Sequence, residues 1–94
     1  MKKFVRIQPE EYIGIQYNGT NLEEIVSFFQ EYDQSIDVKQ EKGDLILLED
    51  GWDPIETVEI GRWILIRSYN NEIQIWEDKD MNQRFKEVPD ERND

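Results

Sequence analysis

The stretch 49–59 concentrates the carboxylates that could do chemistry: Glu49, Asp50, Asp53, Glu56 and Glu59. Oxygen clusters of this kind suit hard cations such as Ca²⁺, which need several converging ligands. The spacing, however, is not that of a calcium-binding helix–loop–helix, and the strand-like flanks give a poor scaffold. The plain expectation is a solvated acidic loop, with no metal and no cofactor. Nucleophilic catalysis is poorly provided for. Ser27, Ser35 and Ser68 are present, but the chain has neither cysteine nor histidine, so the usual activating pairs are missing. Gly14, Gly19, Gly43, Gly51 and Gly61 are scattered and form no phosphate-cradling loop. An enzyme is not expected.

Trp52 stands out because Gly51 and Asp53 flank it in a polar stretch where no neighbour calls for an apolar partner. Exposed tryptophans are enriched at the hot spots of protein interfaces. The simpler expectation is that Trp52 folds back over the core. A second acidic group, Glu77, Asp78 and Asp80, follows the last well-marked strand. The candidate partner-binding residues are therefore Glu49, Asp50, Trp52, Asp53, Glu56, Glu77, Asp78 and Asp80. Arg62, Arg67 and the tryptophans could instead line a pocket for a small nucleotide.

These residues must be held by a small scaffold. With 94 residues, a single domain over 1–88 is expected, followed by a disordered acidic tail over 89–94. A domain this size buries only about 60–65% of its unfolded surface, so its stability margin is thin. Apolar residues make up just 37% of the chain, but they fall in short blocks, which favours a packed core over disorder. The 22 acidic residues against 11 basic ones leave a net charge of −11. Such a chain repels nucleic acid and anionic membranes and favours a basic partner. Without cysteine there is no disulfide framework, and no apolar run approaches a membrane span. Met1-Lys2-Lys3-Phe4 lacks the apolar stretch of a signal peptide, so a cytoplasmic protein is expected.

Alternation predicts strands over Phe4–Gln8 and Tyr12–Tyr17, broken by Pro9. Leu22, Ile25, Val26, Phe29 and Tyr32 recur at helical spacing. Thr20 with Glu23, or Asn21 with Glu24, would make a capping box. Strand signals then follow at Ile36–Lys39, Leu45–Leu48 and Ile55–Ile60, with Glu49–Pro54 read as a loop. Arg62–Ser68 and Glu72–Glu77 form a hairpin in which Trp63 and Trp76 are cross-strand neighbours. A helical turn within Asp78–Arg84 and a strand over Phe85–Val88 complete the pattern. The fold class is α+β, one helix packed on a bent antiparallel sheet or partial barrel.

Two stretches, "IGIQYNGTNLEEIVSFF" (Ile13–Phe29) and Gly61-Arg62-Trp63-Ile64 with Gln74-Ile75-Trp76 and Phe85–Val88, resemble a family of small uncharacterised proteins of tailed phages. The resemblance implies a phage origin and a small α+β fold, and no catalytic residues. Arg62 stands where that pattern usually has an acid, and Asn70-Asn71 replaces a glycine-bearing turn. With the acidic surface, the resemblance points to a phage inhibitor that docks on a basic surface of a bacterial host protein. A defence nuclease such as a CRISPR effector is the sharpest case, occluded by imitation of DNA charge. A sequestered nucleotide signal and an assembly role, with hairpin edges pairing in a homodimer, are the alternatives.

Overall fold

The computed structural model describes the backbone of residues 2–6 and 11–87 and the side chains of residues 11–83. Ile7, Gln8, Pro9, Val88 and the expected tail over 89–94 lie outside these described residues. The elements run β1 (Lys2–Arg6), β2 (Glu11–Gln16), α1 (Leu22–Tyr32), β3 (Ile36–Glu41), β4 (Asp44–Glu49), β5 (Asp53–Val58), β6 (Trp63–Arg67), β7 (Ile73–Trp76), α2 (Asp78–Arg84) and β8 (Phe85–Glu87). The class is α+β. The described strands close no barrel. They divide into a five-stranded sheet, ordered β7-β6-β2-β1-β8, and a three-stranded sheet, ordered β3-β4-β5. All pairings are antiparallel.

The period-2 rule explains how the larger sheet is used on both faces. Ile64 and Ile66 of β6 point to one face and Leu65 to the other. On the first face α1 presents Ile25, Phe28 and Phe29, all buried. They meet Ile15, Tyr17, Ile64 and Ile66 from the larger sheet, and Ile36, Leu45, Leu47 and Val58 from the smaller one. The helix thus cements the two sheets through one apolar cluster. On the second face Tyr12, Leu65 and Met81 form a smaller core, closed by Trp63 and Trp76. Those tryptophans are directly opposite in the β6–β7 ladder. Short helix α2 covers this face through Met81.

The expected capping box is not formed. Asn21 occupies the N-cap but makes no side-chain cap bond. Its amide is spent on the β2–α1 loop, accepting from the Asn18 N–H (3.0 Å) and donating to the Gln16 carbonyl (2.8 Å). The Thr20 hydroxyl donates to Asn18 Oδ1 at 2.9 Å instead of turning to the helix. Local Asx-type bonds have outcompeted the cap.

Tyr17 ties the end of β2 to the smaller sheet. It is fully buried, and its hydroxyl donates to the Gly43 carbonyl (2.8 Å) while accepting from Gln40 Nε2 (2.8 Å). Tyr17→Phe removes both bonds, but Gln40 Nε2 keeps its bond to the Gly19 carbonyl (3.1 Å) and the exposed Gly43 carbonyl can turn to water. The expected cost is about 0.5–1.5 kcal/mol, read from the urea midpoint at unchanged m-value.

Candidate functional site

The acidic stretch 49–54 is not a loop but a tight hairpin. Glu49 pairs with Asp53, and the Trp52 N–H donates to the Glu49 carbonyl at 3.1 Å. Asp50 and Gly51 both have positive φ, 53° and 80°. Two consecutive positive φ values make the type I′ turn that Asp-Gly sequences favour. Asp53 and Pro54 therefore belong to β5 and not to a loop. Pro54 is tolerated because β5 is an edge strand, and a register shift opposite Leu47/Leu48 puts a bulge beside it.

The turn is anchored from a distance. The Asp50 N–H donates to the Ser35 carbonyl at 2.8 Å, which brings the turn against the α1–β3 connection. A Cβ at Gly51 would lie 3.2 Å from Asp37 Oδ2, so that carboxylate belongs to the same surface. Asp33 sits there too, its carboxylate accepting from the Ser35 N–H (3.2 Å) and hydroxyl (2.7 Å). The C-terminal end of α1 adds the negative end of its macrodipole, and no basic residue occupies its last turn. Trp52 does not fold back over the core. It stands 81% exposed at the tip of this turn, because the I′ geometry and the Ser35 anchor hold the tip away from the apolar cluster.

The eight candidate residues fall into two groups. Glu49, Asp50, Trp52, Asp53 and Glu56 are exposed and lie along the β4–β5 hairpin from its tip. Glu77, Asp78 and Asp80 lie beside the start of β6, beyond the far end of β5. The span of β5 alone is about 20 Å. Asp78 is occupied internally, accepting from Trp63 Nε1 at 2.8 Å and from Gln16 Nε2 at 3.4 Å. Glu77 faces Lys79 at 3.9 Å. Only the first group makes a continuous acidic surface. Asp33 and Asp37 join it, and sequence reasoning missed them because the link runs through a long-range backbone bond.

Three described cations are engaged elsewhere. Lys39 pairs with Glu41, Arg62 with Glu59, and Arg67 with Glu72. Arg67 also donates from Nε and Nη2 to the Tyr12 hydroxyl. Trp76 Nε1 donates to Gln74. Of the side chains proposed for a nucleotide pocket, Arg62 and Arg67 are thus ion-paired and Trp63 and Trp76 packed against the second core, while Trp52 stands apart on its turn. Neither a surface groove of about 540 Å³ beside β3 nor a shallower one of about 310 Å³ at Ile15, Glu23 and Phe28 is lined by an arginine or a tryptophan. No group of three carboxylates among the described residues could hold a metal ion. No helix of the described chain is long and apolar enough to cross a membrane.

Tyr32, at the end of α1, has its pKa raised from 10.0 by partial burial, then by a hydrogen bond to Glu31 and that carboxylate's charge. The folded state holds this proton more firmly than the unfolded chain does. Its contribution to stability is complete below pH 10 and fades as pH rises toward the higher folded value. Urea melts across this range should show a smaller loss of stability with pH in Tyr32→Phe than in the parent chain.

Compared with known proteins, the chain matches no family model, no curated protein and no solved structure.

Proposed function

We propose that this chain is an acidic binding protein that docks on a basic surface of another protein and works by occlusion, without turnover. The observation that carries this reading is Trp52, 81% exposed on a rigid turn and flanked by Glu49, Asp50, Asp53 and the carboxylate of Asp37. A large aromatic ringed by like charge costs solubility nothing and offers a partner one apolar anchor inside an electrostatic frame. None of the four ion pairs found among the described residues involves these carboxylates, so their charge is not offset by them. The resemblance to tailed-phage proteins supports a bacterial host protein as the partner. A nuclease with a cationic nucleic-acid groove has the matching charge. The contact would be made by Glu49, Asp50, Trp52, Asp53 and Glu56, with Glu77 and Asp80 at most peripheral.

The test is capture from bacterial lysate at about 0.05 M and about 0.5 M salt, where screening lengths differ about threefold. Bound protein is identified by mass spectrometry. A basic partner retained at low salt, released at high salt and lost with the Asp50→Lys/Asp53→Lys double variant is expected. Retention that ignores both salt and charge reversal would sink the electrostatic reading.

A further inference from the structure

The smaller sheet has two edges, and they differ. Edge strand β5 is guarded by Pro54 and a bulge, devices that discourage a further strand. Edge strand β3 has neither. Its hairpin to β4 closes with Glu41 opposite Asp44 across the two-residue turn Lys42-Gly43, both at positive φ. A two-residue turn makes that flanking pair a hydrogen-bonded one, so Lys39 and Asp37 also exchange bonds with β4. The backbone of Val38, and the carbonyl of Ile36, consequently point away from the sheet. The Ile36 N–H is already used, donating to the Asp33 carbonyl at 3.2 Å.

This free edge does not face open solvent. It borders the groove of about 540 Å³, whose other wall is Val26 and Gln30, four residues apart on one face of α1, with Gln34 in the turn just past the helix end. A strand edge beside a helix, with an apolar floor and amide-bearing walls, is the geometry for addition of an extended peptide. We propose that the groove between α1 and β3 takes up an extended, lysine- or arginine-bearing segment of the partner as a fourth strand of the smaller sheet. This deepens, and rests on, the reading of the chain as an acidic binding protein.

Charge selects the occupant. A second copy would bring another net charge of −11 against this surface, which opposes self-pairing. A basic segment is attracted, and Asp37, which lines the groove and borders the Trp52 turn, lies directly across from the incoming strand. Lys39, the nearest cation on β3, is held by Glu41 at 3.5 Å. Apolar side chains of the segment would meet Val26 and Val38, and the alternating basic ones would face Asp37.

The probes are two capped hexapeptides, Lys-Val-Lys-Val-Lys-Val and its glutamate counterpart, titrated into the isotope-labelled full chain and followed by amide NMR. The lysine peptide should shift the backbone amides of residues 36–40 and the Gln30 side-chain amide, and the glutamate peptide should not. Val38→Pro removes the outward N–H without costing a ladder bond, and Gln30→Trp fills the groove from the exposed helix wall. Each should weaken lysine-peptide binding about tenfold or more, with the remaining spectrum preserved. Undiminished binding by both variants, or no shift in residues 36–40 at millimolar peptide, overturns the groove. Shifts confined to the Trp52 indole and its turn would overturn the groove while leaving the acidic patch standing. Shifts in residues 36–40 with a silent Trp52 would support the groove and remove the patch.

Discussion

Phe28→Ala is expected to cost about 3–5 kcal/mol and to lower Tm by about 15–30 °C. A domain of this size holds only about 5–15 kcal/mol in total, so much of the margin disappears with one ring. Phe28 is fully buried on α1. Its ring stands edge-on to Phe29, with centroids 5.3 Å apart, and tilted against Tyr32 at 5.4 Å. More consequential is what surrounds these rings. The cluster draws residues from both sheets, and no strand of one sheet pairs with a strand of the other among the described residues. The cavity left by alanine therefore sits at the joint between two rigid layers that cannot collapse around it. The same truncation at Met81 empties only the smaller core and should cost less. Thermal unfolding followed by tryptophan fluorescence compares the two. Equal losses at Phe28 and Met81 would mean that α1 is not the joint.

The helix was the most legible element, because Leu22, Ile25, Val26, Phe29 and Tyr32 keep one period over three turns. The β6–β7 hairpin was equally plain, down to the opposition of Trp63 and Trp76. What the sequence could not carry was the sorting of strands into sheets. β2 pairs with β6, far along the chain, and nothing in the alternation of Ile13 and Ile15 says which strand they meet. The same limit governs the site. Asp50-Gly51 is a strong hairpin signal, yet the run of Asp, Gly and Pro around it reads as loop until Leu45–Leu48 and Ile55–Val58 are seen as partners. Asp33 and Asp37 reach the Trp52 turn only through the Asp50-to-Ser35 backbone bond. Asp78 looked like surface charge because its acceptor role depends on Trp63, which the β6–β7 pairing places beside it.

Trp52→Ala separates the surface from the fold. A side chain 81% exposed contributes little to the folded state, so stability should move by no more than about 0.5 kcal/mol. Affinity for the captured partner should fall by about 2 kcal/mol or more, roughly thirtyfold, as at other aromatic hot spots. Tyr69 is the control. It is 91% exposed in the β6–β7 connection, beside the Arg67–Glu72 pair and away from the Trp52 turn. Tyr69→Ala should leave both quantities unchanged, since exposure of an aromatic is not enough without the surrounding carboxylates. Surface-plasmon titration of each variant, alongside its melting curve, reads both quantities. A Trp52→Ala variant that binds like the parent would reduce the patch to a solubilising surface. One that loses stability by several kcal/mol would return Trp52 to the core. The two losses fall on different axes because Phe28 holds the sheets together from inside, whereas Trp52 is held outward by a turn whose geometry depends on Asp50, Gly51 and the Ser35 carbonyl.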